Sequence, residues 1–221
     1  MNNRQQILEF LSDLSQNNSK EWMDDNRKRY ETAKDLWLSE VQNILDILSK
    51  YDANHGKLKP KNCISRITNN RLFNKNLPIY KDFFTFSVME NMDDFSPLHI
   101  SFGVNGSFVG CGYHNPDKQT LSSIRDAIDY EGQILKDILE NKEFKNFFGG
   151  LSTFTEPLKT SPKGYPKDHP YVDYLRYKNY CVDRKLSRED LISDNFMNII
   201  EHSYQLSTPF REFLRRANSV S

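Results

Sequence analysis

The chain has 221 residues, 37% of them apolar, with 30 Lys and Arg against 30 Asp and Glu. Zero formal charge lacks the basic excess of a general nucleic-acid binder, and 15 Phe with 11 Tyr is more aromatic bulk than a disordered chain carries. No apolar run reaches the length of a membrane span. The start, MNNRQQILEFLSDL, has no basic stretch followed by an apolar run, so no signal peptide is expected. Cys63, Cys111 and Cys181 form no CxxC pair and are odd in number, so buried reduced thiols in a cytoplasmic protein are the expectation.

Ile7, Leu8, Leu11 and Leu14 recur at helical spacing, which predicts an amphipathic helix over Arg4 to Leu14. Asn17-Asn18-Ser19 breaks it, and Ser19 can open the next. One long helix is then expected from Lys20 to Ser49. Its buried stripe runs through Trp22, Met23, Tyr30, Trp37, Val41, Ile44, Leu45 and Leu48, and Asp24, Asp25, Arg27, Lys28, Arg29, Glu31 and Lys34 lie on a solvated face. Past His55-Gly56 the period changes, and strands are predicted over Asn62–Ile67 and Asp82–Met89.

Asn105-Gly106 suits a two-residue type I′ turn, which pairs Phe102 with Val109 and Ile100 with Cys111. One face of that hairpin carries Leu98, Ile100, Phe102, Val104, Val109, Cys111 and Tyr113, a core face. The other carries His99, Ser101, Gly103, Phe108, Gly110 and Gly112 and is nearly bare. Glycine in strands marks a bulge or the close approach of another backbone or a ligand. Asn115 as N-cap and Pro116 as first helical residue open a helix through Leu121, Ile124 and Ile128, and further helices are expected at Gln133–Asn141 and Lys142–Phe148. Leu151 to Pro170 is a proline-bearing loop, His169–Tyr177 a short helix, and Asn179–Asp183 a fifth strand. Asp190 to Arg216 closes the chain as helices interrupted at Pro209.

The chemistry-bearing stretch is Arg66–Lys81, RITNNRLFNKNLPIYK. It gathers Arg66, Arg71, Lys75 and Lys81 with four asparagines, donors suited to a phosphate or carboxylate. The same asparagines can equally bond their own backbone in turns. His99 is the candidate acid or base, set on the bare face. No HExxH or Cys/His spacing is present, so no metal site is predicted. Gly110-Cys111-Gly112 lies inside a strand and does not meet the dinucleotide fingerprint. Cys111 faces the core, where a thiol is inert.

In order and spacing these segments resemble the domain of unknown function 2461 family, bacterial and fungal proteins, from about Ile7 to about Phe213. The carrying pieces are Asn17-Asn18 with Glu21-Trp22, then Arg66-Ile67 with Phe73 and Tyr80-Lys81, then Ser107 to Gly110 with Gly112 and Pro116. Ile124-Arg125 with Ile128, Pro162, Gly164-Tyr165, His169-Pro170 and Leu175-Arg176 with Lys178 complete them. In the central block Arg66, Ile67, Phe73, Lys75, Tyr80 and Lys81 agree with the family, whereas Asn69, Asn70, Leu72, Asn76 and Leu77 stand where it carries charges and Ile79 where it carries a proline. Neutral side chains there suit binding or structure better than proton transfer. The resemblance implies one α+β domain and supplies no activity or cofactor.

The expected architecture is a single α+β domain over 1–221, a mostly antiparallel sheet of about five strands packed against several helices. Its helical N-terminal part covers 1–55, its sheet core 58–113 and its helical C-terminal part 116–217. The expected function is binding of a small anionic ligand in a cleft between the bare hairpin face and the Arg66–Lys81 loop. Arg66, Lys75, Tyr80 and Lys81 would hold it. A non-catalytic interaction module with no small-molecule site is the alternative. Reaction, cofactor and oligomeric state are left open.

Overall fold

Asn2 opens the first helix, its side chain accepting from Arg4 N at 3.1 Å, in a computed structural model that describes residues 2–72, 74–88 and 95–219. The chain divides into two compact units: Met1–Val88, His99–Val109 and Lys185–His202 form the first, and Met89–Leu98, Gly110–Arg184 and Ser203–Ser221 the second. It is α+β, with nine α-helices and four strands among the described residues. The strands form one antiparallel sheet in the order β1-β2-β3-β4: β1 (Phe83–Ser87), β2 (Phe95–Gly103), β3 (Phe108–Tyr113) and β4 (Tyr180–Lys185).

In the first unit, α1 (Asn3–Gln16) buries Ile7, Leu8, Leu11 and Leu14 as the period predicts. The long helix expected from Lys20 is broken into α2 (Lys20–Asp25) and α3 (Arg27–Leu48). Asn26 makes the break: its side-chain amide donates to the Trp22 carbonyl at 2.9 Å, and its backbone leaves the helical region at ψ 19°. A short polar side chain here competes with the helix for its own carbonyls. Trp37 anchors α3 on β1, its indole N–H donating to the Thr85 carbonyl at 3.1 Å and its ring lying 4.9 Å from that of Phe102. Arg4 and Glu40, both buried, tie α1 to α3 through a 2.9 Å ion pair.

β1 pairs with β2 in the register Phe84↔Phe102, Phe86↔Ile100 and Ser87↔His99. Met89, the expected last residue of this strand, lies outside the described residues. The strand expected over Asn62–Ile67 does not form. Pro60 starts a 3-10 turn there, and the chain beyond it meets β1 through a single backbone bond, Ser87 N to the Cys63 carbonyl at 2.9 Å, and through hydroxyls: Ser65 N donates to Thr85 Oγ1 at 3.1 Å, and the Thr85 hydroxyl to Ser65 Oγ at 2.8 Å. One backbone bond and a pair of hydroxyls stand where a ladder would be, and the sheet has four strands rather than five.

The hairpin buries its predicted core face, apart from Val104 at the turn. Its loop is not type I′, because only Gly106 has a positive φ, at 67°, and Asn105 does not. Ser107 closes it instead: its Oγ accepts from Gly103 N at 3.0 Å and its hydroxyl donates to the Gly103 carbonyl at 2.9 Å. One side chain bonding both groups of Gly103 substitutes for the backbone pair of a two-residue turn.

The second unit is organised on α4 (Lys118–Glu140), which starts later than expected. Asn115 takes a left-handed φ of 52° and donates its N–H to Asn179 Oδ1 at 2.8 Å, so Asp117 caps the helix, accepting from Thr120 N at 2.7 Å. The two helices expected on either side of residue 132 are one helix kinked at Glu131. A Cβ on Gly132 would stand 2.2 Å from the Tyr171 ring, which lies against the kink. Next comes α5 (Lys142–Phe148), and the expected helix over His169–Tyr177 is the single turn α6 (Val172–Leu175). The proline-bearing loop is pinned to one face of α4: Tyr165 donates to Asp126 at 2.8 Å, His169 Nε2 lies 2.8 Å from Asp129, and Tyr171 donates to Gln133 at 3.3 Å. The closing helices are α7 (Arg188–Ile192), α8 (Phe196–Leu206) and α9 (Thr208–Ser219), with Pro209 in the first turn of α9, where its missing N–H costs nothing.

Candidate functional site

Arg27, Tyr30 and Lys34 recur at helical spacing along one side of α3 and form one wall of a cleft of about 430 Å³ in the first unit. The 3-10 turn, through Lys61, and the segment after it, through Ile64, Ser65, Arg66, Ile67 and Thr68, form the other, and Tyr80 and Phe84 complete the lining. Four cationic side chains thus line one cleft, with no carboxylate or imidazole among the lining residues. Arg27 is paired with Asp24 at 2.8 Å, an exposed contact, whereas Lys34, Lys61 and Arg66 make no ion pair among the described residues. Burial, outweighing the neighbouring Arg27 guanidinium, pushes the Tyr30 hydroxyl above its ordinary pKa.

Of the four residues expected to hold an anion, Arg66 and Tyr80 line this cleft. Tyr80 is held there by Asn18, whose side chain donates to its carbonyl and accepts from its N–H, both at 2.9 Å. Lys81 stands behind the wall: its Nζ donates to Ser65 Oγ and to the Arg66 carbonyl, each at 2.9 Å. Burial, with a further push from Arg66, lowers its pKa. It thereby fixes the segment that carries Arg66. Lys75 is exposed and outside the lining, and its carbonyl accepts from Arg71 at 2.7 Å.

The asparagines bond the loop itself. Asn69 donates to the Pro78 carbonyl at 3.0 Å, while Asn70 and Asn74 accept from the N–H two residues on, at 3.1 and 3.2 Å. Phe73 lies outside the described residues. The turn-forming role weighed for these amides is the one their hydrogen bonds show.

The bare hairpin face is not a wall of the cleft. A Cβ on Gly110 would stand 2.4 Å from the Val182 carbonyl oxygen, one on Gly112 2.1 Å from that of Tyr180, and one on Gly103 2.4 Å from Phe83 Cβ. These glycines admit neighbouring strands rather than a ligand. His99 sits opposite Ser87, with its ring 5.4 Å from Phe108, and is not among the lining residues.

Sequence reasoning missed Arg27, Lys34 and Lys61. The i, i+3, i+7 spacing of Arg27, Tyr30 and Lys34 was a usable signal, since it places two cations and a ring on one side of a helix. Tyr30 is half-buried, its ring centroid 6.0 Å from that of Phe10 and 5.9 Å from the Arg27 guanidinium. A larger groove of about 760 Å³ runs along α4 and α9 in the second unit. It mixes Asp126 and Glu131 with Arg216 and so lacks the single sign of the first.

The cysteines are free, and burial pushes the Cys111 thiol up to about 11 and raises those of Cys63 and Cys181. Among the described residues no three His, Cys, Asp or Glu side chains come together as a metal site, and no helix is long and apolar enough to cross a membrane. No curated protein and no solved structure matches the chain. The family described as Conserved hypothetical protein (DUF2461) matches residues 6–213, nearly the whole sequence, and the chain belongs to that family.

Proposed function

We propose that the protein binds a small phosphate- or carboxylate-bearing ligand in the cleft between α3 and the Lys61–Thr68 segment. One observation carries this: four cations from two separate segments line a single cleft without a lining carboxylate. Like charges gathered at one surface repel, and an anion relieves that repulsion while accepting their hydrogen bonds. Arg66 and Tyr80 serve as ligand residues, joined by Arg27, Lys34 and Lys61, and Lys81 positions Arg66. The lining holds no group that transfers protons near neutral pH, so the reading assigns binding and no reaction. The three free cysteines, Cys63 and Cys111 buried among them, support a cytoplasmic location.

The test is thermal melting of the full chain with phosphate, pyrophosphate, nucleotides and di- and tricarboxylates. A ligand at about 100 times its Kd adds about 2.7 kcal/mol to the folded state. A rise in Tm with an anion, lost in Arg66→Ala and in Lys34→Ala, supports the reading. No rise with any anion, or a rise both variants retain, overturns it. A second reading, an interaction module, is favoured by Leu72, which is 73% exposed on a loop whose amides serve its own turns.

A further inference from the structure

The geometry points to a diphosphate carried on a flat ring, of the nucleoside diphosphate class, as the anion this cleft takes; the inference rests on the anion-binding reading above. The first ground is spacing. Arg27 and Lys34 are seven residues apart on α3, about 10.5 Å along the helix axis, with Tyr30 between them. Along one side α3 thus presents a cation, a ring and a second cation, an arrangement that suits a ligand longer than one phosphate.

The second ground is charge. With Arg27 shared by Asp24, the lining offers about three uncompensated positive charges. A phosphate monoester carries about 1.5 to 2 negative charges near neutral pH, and a diphosphate supplies the balance. The third is the rest of the lining. Half-buried Tyr30 supplies the accessible ring, backed by Tyr80 and Phe84, which are only 7% and 4% exposed, and neither tyrosine hydroxyl has a hydrogen-bond partner among the described residues. At about 430 Å³ the cleft falls in the range of sites for organic ligands, about 300–1,000 Å³. An inorganic anion would leave the aromatic part wet, whereas a ring-bearing diphosphate covers it and offers acceptors to the two hydroxyls.

Titration calorimetry of the full chain with adenosine 5′-diphosphate, the monophosphate, pyrophosphate and adenosine tests this. Stacking on an aromatic side chain tightens binding about 5- to 150-fold per base. The diphosphate is therefore expected to bind at least fivefold more tightly than pyrophosphate and more tightly than the monophosphate. Tyr30→Leu, which keeps apolar bulk in α3, should weaken the diphosphate more than pyrophosphate and so remove the difference between the two. Arg66→Ala should weaken both. Equal affinity for pyrophosphate and the nucleoside diphosphate, or loss of both ligands in Tyr30→Leu, overturns the ring-bearing class and leaves anion binding standing. Binding of none of the four by a folded protein, with no response to carboxylates either, overturns both.

Discussion

Replacing Arg4 with Met should unfold the first unit more readily than any surface change. Its guanidinium donates at 2.9 Å to Glu40, at 2.8 Å to the Leu191 carbonyl and at 2.7 Å to that of Ser193, and lies 5.1 Å from the Phe196 ring centroid. Residue exposures are 8% for Arg4 and 5% for Glu40, so solvent screens the pair little. At an effective dielectric constant of about 20, two charges 2.9 Å apart attract by about 6 kcal/mol, most of which offsets their desolvation. The net worth of the pair is therefore modest, but breaking it is costly. Arg4→Met strands a buried carboxylate and two carbonyls, and the expected loss is about 3–5 kcal/mol. For a chain of this size that corresponds to a fall in Tm of about 6–20 °C.

Urea denaturation of three variants separates the causes. Arg4→Met should lose the most. Glu40→Gln should lose less, because Arg4 keeps both carbonyl partners, and Arg4→Met with Glu40→Leu should recover the share owed to the stranded carboxylate, with the two carbonyls still unpartnered. A loss under about 1 kcal/mol in Arg4→Met, or additive losses in the double variant, would refute the buried-pair argument. Because this pair ties α1 to α3, which carries Arg27, Tyr30 and Lys34, Arg4→Met should also weaken anion binding in proportion to the unfolded fraction.

Gly112→Ala should cost more than about 4 kcal/mol, since its φ is +118° and a Cβ would meet the Tyr180 carbonyl oxygen at 2.1 Å. Gly106→Ala, with φ +67° and open space around it, should cost only about 1–2 kcal/mol; equal losses in urea denaturation would contradict the close approach of the strands. Cys111 gives a pH signature. Its folded pKa of about 11 lies above the ordinary thiol value of 9.0, so the stability it contributes is present below pH 9 and lost as pH climbs towards 11. Melting curves should therefore show the native chain losing about 2 kcal/mol more over that interval than Cys111→Ala does, and parallel curves would refute this.

Local chemistry was legible wherever it depended on neighbours in sequence. The stripe Ile7, Leu8, Leu11, Leu14 is buried as its period predicts, and the hairpin core face from Leu98 to Tyr113 is buried except at Val104. Ser19 caps α2 through a 3.1 Å bond from Trp22 N. The misreadings arose where a side chain took over a backbone role. Asn26 split a helix, Ser107 closed a loop, and Thr85 with Ser65 stood in for a strand. A hydroxyl or amide in such a role has the same period as one facing solvent, so composition and spacing do not distinguish the two.

The sequence by itself determined the α+β class, the amphipathic helices, the existence of the hairpin and the donor-rich character of Arg66–Lys81, because each comes from a period of two or 3.6 residues or from a local cluster. Only the tertiary structure decided which donors share a cleft. Arg66 and Tyr80 meet Arg27, Lys34 and Lys61 there, Lys81 turns behind the wall, and Lys75 and His99 stay outside the lining. It also decided that the glycines of β3 serve β4. The physical reason is common to both: a helix period fixes which side chains share a face, while the partner of that face comes from packing between residues far apart in sequence.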